Sequence, residues 1–148
     1  MMYRCLIANR GEIAVRIIRA CRELNIETVA IYAKGDETSL HVSLADQAIC
    51  IGEANPLDSY LNIDRIISAA KVTESNVIHP GYGFLSESTN FAKAVEDNHI
   101  HFIGPSKTTM EMMGDKITAR QTVKQAGVPV IPGSNDAVQS VDEIKLLA

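Results

Sequence analysis

The stretch HPGYGFLSE, residues 79–87, connects a short run rich in β-branched residues (76–78) to a segment with helical periodicity (88–98). A turn of this kind follows the carboxyl end of a strand, which is where open α/β sheets bind ligands. Its two glycines, imidazole, phenol and carboxylate make it chemically dense for a plain connection. The same residues also suit a tight turn, with Tyr82 as a cover and Glu87 as a first-turn acid. The stretch therefore predicts an α/β fold and leaves open whether the turn binds a ligand.

Short apolar runs alternate with amphipathic helical patterns over the first two thirds of the chain. The opening is a strand, a turn at Gly11, a helix and a second strand, which is the unit of a parallel sheet. We therefore predict an α/β domain with a parallel sheet. Strands are predicted at residues 3–8, 27–32, 48–51, 76–78 and 101–103, and helices at 12–24, after an Asn62 cap, and at 88–98.

The first predicted helix carries an apolar stripe and a charged stripe. The apolar stripe faces the predicted core, and Glu12 and Arg16 have the favourable i, i+4 order for an ion pair. Taken alone, the charged stripe is a solvated surface. The apolar residues are Ile13, Ile17, Ala20, Cys21 and Leu24, and the charged ones are Glu12, Arg16, Arg19 and Glu23.

A nicotinamide site is disfavoured at the first strand-to-helix turn. The dinucleotide fingerprint needs three glycines spaced G-x-G-x-x-G, and this turn offers Gly11 alone. The later turn has Gly81 and Gly83, but Ser86 stands in the third glycine's place. Asp36 resembles a ribose-binding acid, but it carries little weight without the glycines.

Composition narrows the class of protein. The chain has 148 residues, 46% of them hydrophobic, and a net charge of −4 without a basic run, which argues against nucleic acid or an anionic membrane as the main partner. No apolar run approaches the roughly 20 residues of a membrane span, and no signal peptide is visible. We therefore expect a cytoplasmic protein.

The positions of the cysteines and histidines do not predict a metal site. Cys5 and Cys50 lie in strand-like runs and Cys21 lies on the apolar face of the first helix, so three reduced, buried thiols are expected. His99 and His101 share a face of one strand, but no third ligand is near, which favours edge-strand histidines over a zinc site.

The pattern changes after Pro105. Ser106 is predicted to cap a short helix that Gly114 ends, and Asp115 to cap a second helix over residues 116–126. Residues 129–133 resemble an extended strand or linker. A capping box at residues 140–143 opens a further helix at Ile144 that nothing stops before the last residue. The sequence is therefore predicted to end inside a second domain.

Five strings occur in order and carry a resemblance to a known family: IANRGEIA (7–14), HPGYGFLSE (79–87), FIGP (102–105), MGDK (113–116) and GVP (127–129). Together they resemble the N-terminal part of biotin carboxylase, and the resemblance covers essentially the whole chain. It implies a Rossmann-like preATP-grasp domain over residues 1–113. Residues 114–148 would then be a linker and the truncated start of an ATP-grasp domain.

The resemblance also implies a reaction and its site residues. In this family bicarbonate attacks the γ-phosphate of ATP with Mg²⁺, and the activated carboxyl group passes to a ureido nitrogen of biotin on a carrier protein. Lys116 matches the nucleotide-binding lysine. Tyr82 and Gly83 would border biotin, and His79 and Glu87 would fix the turn, with a contact to the ligand also open for Glu87. Gly81 belongs to the same biotin-side loop. No catalytic or metal-binding residue is expected in this chain, because the glycine-rich flap, the Mg²⁺ ligands and the bicarbonate-holding arginines lie beyond Ala148 in the family.

Partners follow from the same resemblance: a biotin carboxyl carrier protein, carboxyltransferase subunits, and a second copy that meets Arg16, Arg19 and Glu23 in a homodimer. The chain alone is expected to be inactive. A start two residues before the first strand, without a leader, favours a stand-alone bacterial subunit of acetyl-CoA carboxylase in fatty acid synthesis. A domain of pyruvate or another acyl-CoA carboxylase stays open, as do a different ATP-grasp ligase and a non-catalytic truncated paralogue.

Overall fold

The computed structural model describes residues 3–131 of the chain. The chain divides into two compact units, Met1–Ser106 and Lys107–Ala148. The domain boundary that the resemblance implies, after residue 113, lies one helix further along and remains a prediction.

The first unit is built on a five-stranded sheet in the order β3-β2-β1-β4-β5, and every neighbouring pair of strands is parallel. The predicted α/β fold with a parallel sheet is therefore confirmed. The strands are β1 (Arg4–Ile7), β2 (Glu27–Ala33), β3 (Gln47–Gly52), β4 (Val77–His79) and β5 (His101–Phe102), and the helices are α1 (Gly11–Glu23), α2 (Leu40–Leu44), α3 (Ile63–Val72) and α4 (Thr89–Asp97).

The buried face of α1 differs from the predicted stripe. Ile17 and Cys21 are buried as expected, but Ala20 is exposed and Leu24 is 69% exposed. Leu24 is exposed because α1 ends at Glu23 and the chain turns through Asn25, whose φ is +55°. The buried residues of α1 are Ala14, Val15, Ile17, Ile18 and Cys21, and all of these except Val15 belong to one core cluster with Cys5 and Ile7 of the sheet.

The thiols are not all buried, which corrects a second prediction. Cys5 and Cys21 are buried free cysteines, as expected, but Cys50 is exposed. Cys50 lies on β3, an edge strand with mostly exposed or half-buried residues. An apolar run that forms an edge strand therefore leaves residues exposed that a central strand would bury.

Two predicted helix caps are confirmed by hydrogen bonds. The side chain of Asn62 accepts from the backbone N–H of Arg65 at 3.1 Å at the start of α3. In the second unit Asp115 accepts from the N–H of Thr118 at 2.7 Å. Each cap satisfies a donor that the first helical turn leaves without a partner.

The described part of the second unit is α5 (Lys107–Gly114), α6 (Lys116–Gln125) and a tail without regular structure up to Ile131. Gly127 has a φ of +78° just after α6, which suits the predicted helix stop. The capping box at residues 140–143 and the helix from Ile144 lie outside the described residues. No helix within residues 3–131 is long and apolar enough to cross a membrane.

Candidate functional site: the switch-point crevice

The strand order places a crevice between β1 and β4. The chain moves outward from β1 through β2 to β3 and then crosses back to β4 on the other side of β1. Ile7 pairs with His79 at the carboxyl end of this pair of strands. A reversal of this kind separates the loops on either side, and open α/β sheets bind ligands in the opening. The turn at residues 79–87 is therefore at the place where a ligand site is expected.

The loops after β1 and β4 line one groove here, with a volume of about 380 Å³. We call it the switch-point crevice. Its lining residues are Asn9, Arg10, Gly11, Glu12, Ile13, Tyr82, Gly83 and Phe84. Tyr82 and Gly83, which the resemblance assigned to the biotin side, both lie in it, whereas Glu87 is exposed and outside this lining.

Asn9 joins the two loops. The residue is only 3% exposed, and Nδ2 of its side chain donates to the carbonyl oxygens of Pro80 and Tyr82, both at 2.8 Å. Its Oδ1 accepts from the N–H of Arg10 at 2.9 Å. A buried amide that makes three hydrogen bonds fixes the groups it contacts. The sequence reasoning did not single out Asn9, although a polar residue directly after a buried strand was an available signal.

Gly81 is required by the same contact. Its φ is +67°, and a Cβ built there would be 2.8 Å from Nδ2 of Asn9. Gly83 has the same φ but open space around the corresponding position. The two glycines therefore serve different purposes: Gly81 allows close approach, and Gly83 allows the turn.

His79 holds the turn from the inside. Its Nδ1 accepts a hydrogen bond from the N–H of Gly81 at 3.0 Å, and burial lowers the pKa of the imidazole. A neutral ring with a free Nδ1 lone pair is what this contact needs. The geometry supports a structural role for His79.

Tyr82 is 60% exposed but its hydroxyl is not free. It donates to Oε2 of Glu12 at 2.8 Å, and Oε1 of Glu12 lies 3.4 Å from Arg16. The hydrogen bond to the Glu12 carboxylate raises the pKa of Tyr82, so the phenol stays protonated. The exposed ring is thus anchored to the first turn of α1 and presents an apolar face beside the groove.

A second set of contacts, also missed by the sequence reasoning, lies behind the crevice. The guanidinium carbon of Arg10 lies 5.2 Å from the ring centroid of Tyr60 and 5.8 Å from that of Phe84. Asp36 accepts from Arg10 at 3.2 Å and from the Tyr60 hydroxyl at 2.7 Å. Burial would raise the pKa of Asp36, but the Tyr60 and Arg10 hydrogen bonds outweigh it and hold that pKa below its usual value. Asp36 is thus an internal anchor, not a ribose-binding acid.

The remaining predicted site residues lie elsewhere. Arg16, Arg19 and Glu23 are exposed on α1, as a contact surface requires, and their role in a dimer remains a prediction. Lys116 is exposed at the first residue of α6, in the second unit, and its role in ATP binding also remains a prediction. Within residues 3–131 no group of three or more His, Cys, Asp and Glu side chains is arranged to hold a metal ion.

Comparison with known proteins gives a consistent result. Residues 1–110 match the family described as "Biotin carboxylase, N-terminal domain". Biotin carboxylase 1 of Bacillus subtilis is 55% identical over all 148 residues, which are 33% of that protein. The 2-oxoglutarate carboxylase small subunit of Hydrogenobacter thermophilus is 50% identical over the whole chain and 31% of its own length.

Solved structures agree. The biotin carboxylase domain of a thermophilic 2-oxoglutarate carboxylase bound to bicarbonate has a TM-score of 0.90 and 50% identity, over 100% of this chain and 33% of that one. The pyruvate carboxylase of Rhizobium etli has a TM-score of 0.83 and 44% identity, over 88% of this chain and 14% of that one. The chain thus spans about a third of the curated relatives it matches. By its match over residues 1–110, this chain belongs to the biotin carboxylase N-terminal domain family.

Proposed function

We propose that the chain supplies the N-terminal part of a biotin carboxylase, an ATP-dependent ligase that carboxylates biotin on a carrier protein. The observation that carries this proposal is the switch-point crevice, in a chain that belongs to this family. The reaction uses ATP, Mg²⁺ and bicarbonate. One structural relative, the biotin carboxylase domain of a thermophilic 2-oxoglutarate carboxylase, is described as bound to bicarbonate, which supports the assignment.

The crevice suits the bicyclic ring system of biotin. The exposed Tyr82 ring offers an apolar face, and Gly83, without a side chain, lets the ureido group approach the backbone closely. Asn9 and His79 hold these groups in place and do not transfer protons. This chain therefore contributes binding and orientation, and the proton transfers belong to residues outside it.

Lys116 is proposed to face the phosphates of ATP. An exposed lysine at the first residue of a helix is mildly unfavourable there, because the helix dipole is positive at that end. A bound polyphosphate removes that penalty, since phosphoryl transfer depends on neutralising the charge of the phosphates. The cytoplasm is the proposed location.

The acyl acceptor is set by partner subunits or domains. Relatives of similar identity carry the names biotin carboxylase, 2-oxoglutarate carboxylase and pyruvate carboxylase. We propose acetyl-CoA carboxylase as the assembly, with a biotin carrier protein and carboxyltransferase subunits as partners and a homodimer through the exposed charged face of α1.

The test is ATP cleavage by the complete protein that carries this chain. We expect cleavage that depends on bicarbonate and is stimulated by free biotin, whereas residues 1–148 alone should show neither. Stimulation by an amino or carboxylate substrate in place of biotin would assign a different ATP-grasp ligase.

The nucleotide role of Lys116 is tested with a matched pair of variants. Lys116→Ala should raise the KM for ATP about tenfold, as the loss of one charge-assisted contact worth roughly 1.4 kcal/mol does. Lys124→Ala, near the other end of α6, should leave that KM unchanged. Equal KM values for ATP in the two variants would show that Lys116 does not bind the nucleotide.

A further inference from the structure

Four side chains tie together four loops at the carboxyl ends of the strands. Arg10 follows β1, Asp36 follows β2, Phe84 lies in the loop after β4, and Tyr60 enters from the segment before α3. We call this set the Tyr60 cluster. Its contacts are the Arg10–Asp36 ion pair, the Tyr60–Asp36 hydrogen bond and the stacking of Arg10, Tyr60 and Phe84.

Tyr60 is the centre of the cluster. It is fully buried, and its hydroxyl uses both of its hydrogen-bonding functions: it accepts from the N–H of Ala33 at 3.1 Å and donates to Asp36 at 2.7 Å. Ala33 is the last residue of β2. The hydroxyl therefore fixes the Tyr60 ring to the sheet, and the ring can act as a rigid support for what stacks on it.

What stacks on it is a strained residue. Phe84 has a φ of +40°, a region that bulky residues seldom adopt, and its ring lies 5.2 Å from that of Tyr60 with only 7° between the planes. Such a conformation persists when its surroundings over-determine it, and here they are the Tyr60 ring on one side and Arg10 near both rings. The conformation of Phe84 in turn fixes the peptide that joins it to Gly83.

The residues of the Tyr60 cluster differ in whether they line the switch-point crevice. Arg10 and Phe84 line it, whereas Tyr60 and Asp36 do not. We propose that Tyr60 and Asp36 are positioning residues that hold the Gly83–Phe84 peptide and Arg10 in the geometry that binds biotin. This inference rests on the proposed function, and it adds two residues that act through others.

Hydrogen exchange tests the positioning without any activity. In the complete protein, Tyr60→Phe keeps the ring and removes the hydroxyl, and Asp36→Asn keeps the shape and removes the charge. Each should speed amide exchange in residues 80–87 about fivefold, because Tyr60→Phe loses both hydrogen bonds of the hydroxyl and Asp36→Asn loses the ion pair with Arg10. Tyr32→Phe, a half-buried tyrosine of β2 outside the cluster, is the matched control and should leave that exchange unchanged.

Kinetics separates positioning from general stability. Both cluster variants should raise the KM for free biotin about fivefold while the KM for ATP stays within about twofold. A uniform loss of folded protein would instead lower the apparent kcat and leave both KM values unchanged.

Three outcomes are decisive. Exchange in residues 80–87 that matches the Tyr32→Phe control overturns the inference. Faster exchange with an unchanged KM for biotin also overturns it, because the cluster would then be structural only. A parent protein without biotin-stimulated ATP cleavage overturns the proposed function and with it the biotin-binding role, while the exchange result still decides whether the cluster holds the turn.

Discussion

Two concave regions of the first unit invite comparison, and the larger of the two is not the better candidate site. A groove of about 490 Å³ lies between the edge strand β3 and α3, and the switch-point crevice has about 380 Å³. The larger groove is lined by Ile49, Ile51, Ala69 and Val72 with an ion pair, Lys34–Glu53, in which both side chains are more than half exposed. Ion pairs of this kind contribute little.

The crevice differs in how its polar groups are held. A buried amide, Asn9, bridges the carbonyl oxygens of Pro80 and Tyr82. In the larger groove the comparable polar contact, from Arg65 to the carbonyl of Ile51, ties α3 to the sheet edge. Convergent, buried polar groups mark a site more reliably than volume does.

The strongest way to break this distinction is Asn9→Ala. The change removes three hydrogen bonds and leaves the carbonyl oxygens of Pro80 and Tyr82 without the Asn9 amide, so we expect the free energy of unfolding to fall by about 3 kcal/mol. Urea unfolding of the chain measures it. Asn90→Ala, at an exposed position of α4, is the control and should stay within about 0.5 kcal/mol of the parent. A loss below about 1 kcal/mol for Asn9→Ala would mean that the amide does not hold the two loops.

A pair of glycine substitutions sharpens the same point. Gly81→Ala and Gly83→Ala impose the same backbone strain, because both residues have a φ of +67°. Only the first also places a Cβ against Asn9, so it should cost about 2 kcal/mol or more, against about 1 kcal/mol for Gly83→Ala. Denaturant unfolding of both variants gives the difference. Equal losses would show that Asn9 moves aside freely.

The sequence was sufficient for the elements and for one of the two loops. Residues 79–87 were predicted as a strand-to-helix turn, and a ligand site there was raised as one of two interpretations, because glycines, a phenol and an imidazole are visible in a string. The Asn62 and Asp115 caps were predicted because capping is a local interaction. Both depend on residues close together in the chain.

The missed features depend on residues far apart in the chain. Asn9 and Tyr82 are separated by more than seventy positions, and Tyr60 meets Phe84, Asp36 and Arg10 only after the strand order brings their loops together. Cys50 was misjudged for the same reason, since an apolar run does not reveal that its strand lies at the sheet edge. Topology was therefore the missing information.

A smaller effect should appear in the acid dependence of stability. The pKa of Asp36 is lowered in the folded protein, so its carboxylate stabilises the fold above its unfolded value of about 3.9, and that contribution is lost as the pH falls through the folded pKa. Between pH 6 and pH 3 the free energy of unfolding of the parent should fall by up to about 1 kcal/mol more than that of Asp36→Asn. Unfolding free energies at the two pH values measure this, with Ser68→Ala in the larger groove as a control that follows the parent. Parallel curves for Asp36→Asn and the parent would mean that the Tyr60 cluster adds no net stabilisation through this charge.

The smallest expected effect is also the most direct check on the larger groove. Ser68 is an exposed residue of α3 that lines it, so Ser68→Phe should fill part of that space while changing the free energy of unfolding by no more than about 0.5 kcal/mol. Biotin-stimulated ATP cleavage by the complete protein should be unchanged, because no group in that groove takes part in the proposed reaction.

Tyr82→Ala, in the switch-point crevice, provides the contrast. It removes an exposed ring, so its effect on the free energy of unfolding should be similarly small. The KM for biotin should nevertheless rise about tenfold. If Ser68→Phe impaired the reaction and Tyr82→Ala did not, the site would belong to the larger groove, and the buried polar contacts of the crevice would be no more than a way of closing a turn.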